Sequence, residues 1–325
     1  MTLLLSNAID QGEAYLLDRI RARQLVSRAP ANSPDRRWDD CGEAFLAIDA
    51  LIAVGDRLNA PDRHKLAARL LASRSTGAWD YSGKSGVDAD TTASAIRALD
   101  RLGESVSLDC LRLFYNPRYR LFNTFAHPSD NLDLQLPPQS ATKHLGAHPC
   151  VLANVCLLLQ ERGQLSHLSH DLLRRMQKPD GFWFSYFYPS PFYSTRLFTE
   201  LLTALGEPYE NYVRSTANAL LACAPPSSPT QVAEILISLT YLQNALRDDM
   251  RISERATALM PQLLASQLDD GSWPGETIWE FLDRSRPLMA TAFDHFRVRS
   301  TALCVRALKL WASPEHRETS IKSHA

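Results

Sequence analysis

Two kinds of apolar pattern alternate along the chain. Segments such as 44–54 (AFLAIDALIAV) and 151–159 (VLANVCLLL) are apolar nearly all round, and a helix of that kind must be enclosed on most sides. Others, such as 14–26 (AYLLDRIRARQLV) and 64–72 (HKLAARLLA), carry charge on one face and a single apolar stripe, the pattern of a surface helix. The alternation predicts outer helices near 8–27, 61–74, 106–115, 165–177, 208–223 and 251–267. It predicts inner helices near 40–54, 90–102, 147–161, 192–205, 229–245 and 298–312. Six such pairs constitute a repeat architecture, and repeats set the fold before local features do. The expectation is an all-α protein: one (α/α)6 barrel of six inner and six outer helices, with residues 1–325 as a single domain. Strand patterns are nearly absent. Gly55, Gly103, Gly163 and Gly206 each follow an inner segment, where glycine relieves a left-handed cap. The irregular stretch Asn116 to His148, with Pro117, Pro128, Pro137 and Pro138, predicts a lid over one barrel end.

Composition narrows the function classes. The chain has 325 residues, 45% of them hydrophobic, and a formal net charge of −1. A nucleic-acid binder normally shows a basic surplus or stripe, so that class is excluded. The six cysteines are scattered without a C-x-x-C pair, which signals neither a zinc site nor a disulfide framework. They read as reduced core cysteines of a cytoplasmic protein. No run approaches the ~18 apolar residues of a membrane span, and Met1 to Leu5 is too short for a signal peptide. A lipid-like substrate would still allow peripheral membrane contact. No obligate protein partner is implied.

Candidate chemistry sits at the joints between outer and inner helices. Thr76-Gly77-Ala78-Trp79, Gln177-Lys178-Pro179-Asp180-Gly181-Phe182-Trp183 and Gln267-Leu268-Asp269-Asp270-Gly271-Ser272-Trp273 share one layout. The glycine permits a sharp turn, and the tryptophan staples the joint with a large apolar surface. After the first copy comes Asp88-Ala89-Asp90-Thr91-Thr92, opening an inner helix. Capping alone explains one or two of these residues, since Asp and Thr are favoured N-caps contributing about 1 kcal/mol each.

With the glycine–tryptophan repeats, the Asp-x-Asp-Thr-Thr run resembles the squalene–hopene cyclase and class II terpene cyclase superfamily. Gln267 to Trp273 resembles that superfamily's QW repeat closely, and Gln177 to Trp183 more loosely. Familiar members carry two barrels, so a chain with one resembles the monodomain cyclases of bacterial meroterpenoid pathways. The resemblance implies that Asp90 protonates a carbon–carbon double bond with Asp88 in support. It also implies a histidine or asparagine on the next inner helix that orients the reactive proton, with Asn154 and His148 as the two candidates. No cofactor or metal is needed for that chemistry.

The residue types fit it. An alkene-protonating acid must hold its proton at rest, and burial and a like-charged neighbour both raise a carboxyl pKa. A helix amino end favours the anion left behind. Aromatic faces hold a cation within about 6 Å without quenching it. Candidate wall residues are Trp79, Trp273, Trp279 and Phe296, together with Phe182, Trp183, Phe184, Tyr186, Tyr188, Phe192 and Tyr193 from one aromatic-dense segment.

Two other patterns compete. Asp39-Asp40-Cys41-Gly42-Glu43 resembles the D-D-x-x-E magnesium motif of class I terpene synthases, and Asp39 and Cys41 echo the zinc ligands of protein prenyltransferases. Neither has a matching second element, so both read as polar residues at an inner-helix start. The substrate expected is a hydrophobic polyprenyl chain, first a prenylated aromatic meroterpenoid precursor. The alternatives are farnesyl or geranylgeranyl diphosphate, giving drimenyl- or copalyl-type products, for which Arg297 and Arg299 are the candidate basic cluster, and a non-catalytic barrel that binds lipid or protein.

Overall fold

The computed structural model describes residues 2–29, 39–82, 86–117, 120–126, 146–165, 167–281 and 290–313. Six inner helices form its centre: α2 (Glu43–Val54), α4 (Ala89–Leu102), α5 (Pro149–Glu161), α7 (Pro191–Leu205), α9 (Pro229–Ala245) and α11 (Val298–Ala312). Each packs on the next, and α11 packs back on α2, so the ring closes. Outside lie α1 (Thr2–Arg21), α3 (Ala60–Ala72), α6 (His170–Met176), α8 (Glu210–Ala222) and α10 (Met250–Ala265). The periodicity reading of an all-α barrel therefore holds.

The third outer position differs. It is a 3-10 segment, Leu108–Leu113, not an α-helix over 106–115. Ser107 accepts from the Asp109 amide and donates to its carboxylate, and such local side-chain bonds compete with helix propagation. The first outer helix begins earlier than its stripe suggested, because the exposed Leu3 and Leu4 break the amphipathic pattern but still propagate the helix. Two small antiparallel pairs were not foreseen: β1 (Tyr115–Asn116) with β2 (Leu121–Phe122), and β3 (Thr277–Phe281) with β4 (Ala290–Phe293). Most of the expected lid, 127–145, lies outside the described residues.

Each glycine–tryptophan joint ties the two layers. The indole of Trp79 donates to Leu70 O on α3 at 2.7 Å, that of Trp273 to Leu263 O on α10 at 2.8 Å, and that of Trp183 to Thr216 Oγ1 on α8 at 3.0 Å. Their amides meanwhile donate to Thr92, Thr301 and Thr195, each on an inner helix. One residue thus bonds both an outer and an inner helix, with its ring fully buried. Gly181 is required at its joint for two reasons. Its φ is +91°, and a Cβ there would lie 2.4 Å from the Ser215 carbonyl oxygen. Gly103 also has φ +91° as the cap of α4, but faces open space.

That contrast gives a test. Gly103→Ala carries only backbone strain, about 1 kcal/mol. Gly181→Ala adds a backbone collision and should cost about 3 kcal/mol or more in urea unfolding. Equal costs for the two variants would mean the joint tolerates a side chain and is not a close staple.

Candidate active site

The start of α4 is fixed on both sides. The Asp88 amide donates to Trp79 O at 3.0 Å and the Ala89 amide to Thr124 O at 2.7 Å. Asp88 then caps the helix, its Oδ1 accepting from the Thr91 amide at 2.7 Å. Its Oδ2 is buried with no hydrogen-bond partner. Two residues on, within the first helical turn, Asp90 is also buried, only 9% exposed.

Both Asp90 oxygens are engaged. Oδ1 accepts from Asn154 Nδ2 on α5 at 2.7 Å, and Oδ2 accepts from the Tyr188 hydroxyl at 2.7 Å. Asn154 Nδ2 also lies 2.9 Å from Ser94 Oγ and 3.2 Å from Asp90 O. Its carbonyl oxygen accepts from Arg97 Nη1 at 2.9 Å, and Arg97 grips Glu161 through Nε and Nη2 at 2.9 and 2.8 Å. Asp90, Ser94 and Arg97 are spaced i, i+4 and i+7, which places them along one helix face. Three rings stand beside the acid: Tyr188 stacks on Tyr193 with centroids 3.5 Å apart, and Phe45 lies 5.8 Å from the first and 6.2 Å from the second.

Burial sets the electrostatics. It pushes the Asp90 carboxyl above its ordinary value; hydrogen bonds from Tyr188 and Asn154 and the Arg97 charge pull back, while Asp49 pushes up. Burial likewise raises Asp88, to about 7, with the Asp90 charge adding to the rise. Tyr188 and Tyr193 are raised further by burial and the Asp90 charge, so both keep their protons. The site is therefore an acid that is neutral at rest, beside groups that stabilise its anion when it forms.

Behind the acid lies a small polar cavity, lined by Asp49, Ser94, Arg97, Asn154, Arg196 and Arg306 among others. Its charges pair internally. Arg306 meets Glu200 at 2.8 Å, and Arg299 meets the fully buried Glu234 at 2.7 Å. Glu200 is pulled down to about 2, burial opposing the pull of Arg306, Arg97 and Arg196. None of Asp49, Arg97, Arg196 or Arg306 was singled out in the sequence. The signal was there: an arginine in the middle of a helix too apolar to be exposed must be buried and paired.

The remaining candidates separate. His148 pairs through Nδ1 with Thr124 at 2.6 Å and its ring stacks on Tyr186 at 4.1 Å, leaving the contact with Asp90 to Asn154. Trp279 meets Tyr81 edge-on at 5.3 Å. Phe182 and Phe192 pack on each other at 5.7 Å. Phe184 lies under Lys178, and Phe296 under Arg28. Trp79, Trp183 and Trp273 serve the joints. As a wall around the acid the eleven aromatics are thus corrected to Tyr188 and Tyr193, with Phe45 added. The other rings went to stapling and packing because any large apolar ring near a joint is drawn into the nearest buried seam.

The competing motifs also resolve. Asp40 pairs with Arg28 at 3.2 Å, Glu43 pairs with Arg69 at 2.8 Å, and Asp39 accepts from the Ala29 amide at 2.8 Å. The carboxylates face separate partners. Arg299 is buried against Glu234, and Arg297 turns outward to Asp270 at 2.7 Å, so the expected basic pair is not assembled.

No protein-family model and no curated protein matches the sequence. Solved structures do match the fold. One is a variant of the type II terpene cyclase MstE from Scytonema, in complex with its substrate geranylgeranyl dihydroxybenzoate: TM-score 0.76, 23% identity, covering 96% of this chain and 98% of that one. A second is a protein from Actinoplanes, at TM-score 0.69 and 21% identity, covering 95% and 100%. A third is ent-copalyl diphosphate synthase from Streptomyces platensis, at TM-score 0.57 and 21% identity, covering 82% of this chain but 49% of that one. At these identities the likeness establishes a shared fold.

The raised Asp88 pKa makes a signed prediction. A carboxyl raised in the folded state stabilises the fold below its unfolded pKa and loses that contribution as pH climbs through about 7. Asn at position 88 still caps Thr91 but cannot ionise. Asp88→Asn should therefore raise the melting temperature relative to wild type by about 3 °C or more at pH 8, and by less at pH 5. A gain that is the same at both pH values would show that no buried ionisation occurs at Asp88.

Proposed function

We propose that this chain is a class II terpene cyclase, in which Asp90 protonates the terminal alkene of a polyprenyl chain and the resulting cation closes into rings. The observation that carries the reading is the Asp90 carboxyl itself: buried, held neutral, and gripped on both oxygens by Asn154 and Tyr188. A barrel that only bound lipid would have no use for it. A carboxyl buried in an apolar interior costs several kcal/mol if it ionises, and an apolar residue there would be more stable.

Each group then has a task. Burial keeps the proton on Asp90 at neutral pH. The Tyr188 hydroxyl and the Asn154 amide receive the negative charge that develops as the proton leaves, so the acid is both protonated and strong. Asp88 anchors the helix start and, as a like-charged neighbour, disfavours early loss of the proton. Tyr188, Tyr193 and Phe45 turn ring faces toward the reacting region, where they stabilise a cation without supplying a base. Asp88 to Thr92 takes the part of the DxDTT motif, and the glycine–tryptophan joints take that of the QW repeats. The whole chain acts as one catalytic domain, needs no cofactor, and works in the cytoplasm, reaching a membrane only to collect its hydrophobic substrate.

For the substrate we favour a prenylated aromatic acid over a prenyl diphosphate. The buried arginines are already matched to Glu234, Glu200 and Glu161, which leaves no cluster of spare positive charge for a diphosphate. Geranylgeranyl dihydroxybenzoate, the substrate of the similarly folded MstE, is the first compound to try.

Purified protein incubated with geranylgeranyl dihydroxybenzoate, shorter prenylated hydroxybenzoates, and farnesyl and geranylgeranyl diphosphates should convert one of the aromatics to a product of unchanged mass, or of one added water. Asp90→Asn should lower that rate about a thousandfold or more while leaving the circular dichroism spectrum unchanged. Conversion of a diphosphate alone would move the substrate assignment. No isomeric or hydrated product from any of the compounds, with folded protein, would end the cyclase reading.

A further inference from the structure

Arg97 lies two helical turns from Asp90 and does not touch it, yet the orientation of the acid's only amide partner depends on it. A guanidinium has five donors and no acceptor. The Asn154 atom 2.9 Å from Arg97 Nη1 must therefore be the carbonyl oxygen, since an amide nitrogen there would set two donors against each other. With the carbonyl so fixed, Nδ2 must face Asp90 Oδ1, at 2.7 Å, and Ser94 Oγ, at 2.9 Å. An oxygen that accepts this short amide bond cannot direct a proton along the same line.

We propose that Arg97, clamped by Glu161, is a positioning residue for the acid: by fixing the Asn154 amide it keeps the transferable proton of Asp90 on Oδ2, the oxygen that meets Tyr188. In catalysis, and here the inference rests on the cyclase reading, the Oδ2–H bond breaks as a C–H bond forms on the terminal alkene. The electron pair of the O–H bond stays on Asp90, and the Tyr188 hydroxyl then donates to the new carboxylate. Termination of the cascade releases one proton, which balances the one consumed.

The surroundings make the clamp directional. Arg97 is 5% exposed at its side chain and Glu161 30%, so the pair runs from the barrel interior to its edge. Its positive charge lowers the Asp90 pKa, and Glu161 partly neutralises that charge. The other charged or titratable groups facing Asp90 and Arg97 are Asp88 and Arg101 on α4, Asp49 on α2, Cys150 on α5, Tyr188 and Tyr193 at the start of α7, Glu200 on α7 and Arg306 on α11. Removing Arg97 frees the amide to turn, so that its carbonyl can hold the acid's proton on Oδ1 and retain it.

The test follows the Asp90 carboxyl directly, in full-length protein with 13C-labelled aspartate carboxyls, assigned through Asp90→Asn. Arg97→Met should move the Asp90 titration upward. On geranylgeranyl dihydroxybenzoate it should cut kcat about tenfold or more, with KM within about twofold. Arg97→Lys, which keeps a donor and the charge, should recover part of both effects. Glu161→Gln, which leaves Arg97 in place but unneutralised, should move the titration downward. A merely structural pair would shift both in the same direction or neither, and that result overturns the proposal. Should Arg97→Met not fold, opposite displacements in Arg97→Lys and Glu161→Gln carry the same decision. Should wild type cyclise nothing, the cyclase reading falls, while the titrations still decide whether the clamp governs the acid.

Discussion

The hydrogen bond from Asn154 to Asp90 spans the seam between α4 and α5, and its 2.7 Å length requires both helices to keep a fixed register. Nothing at the seam itself supplies that register. It comes from outside, where Trp79 ties the start of α4 to α3 and Thr124 ties it to His148 at the start of α5. It comes also from below, where Arg97 and Glu161 link the same two helices a second time. Two links between adjacent helices resist the rotation that one would allow. A buried acid placed to about half an ångström is the result that catalysis of this kind needs.

The barrel interior has two characters. Around the Oδ2 side of Asp90 it is aromatic; on the Oδ1 side it is charged, with Arg97, Arg196, Arg299 and Arg306 buried among Asp49, Glu161, Glu200 and Glu234. Such a network is expensive to desolvate and holds only when nearly every charge is matched. It gives the acid a polar scaffold behind and a cation-tolerant face in front. The two oxygens of one carboxyl therefore see different environments, and that difference is what distinguishes a directed proton donor from a merely buried aspartate.

Much of this was legible in the sequence. The six inner helices were visible because a helix enclosed by others is apolar all round, and all six lie within a few residues of their predicted positions. Asp88 and Asp90 were visible through their place after a glycine–tryptophan joint, and Asn154 through the position of the next apolar run. The aromatic wall was poorly legible. Composition shows where rings are dense, but a ring's destination depends on which seam lies within reach, and Trp79, Trp183 and Trp273 found the joints. The charged scaffold was hidden because ion pairs such as Arg97–Glu161 and Arg299–Glu234 join residues more than sixty positions apart, and only tertiary structure pairs them. Arg299 looked equally suited to a cavity mouth or a surface; its partner decided otherwise.

The central claim is that Asp90 delivers a proton to carbon, and the isotope content of the product measures this most directly. Turnover of geranylgeranyl dihydroxybenzoate in D2O, after exchange of the buried carboxyl, should place one deuterium in the product, on a methyl of the gem-dimethyl carbon formed from the terminal alkene. A cyclised product that carries no deuterium from solvent, or one formed with loss of an allylic leaving group, would contradict the account.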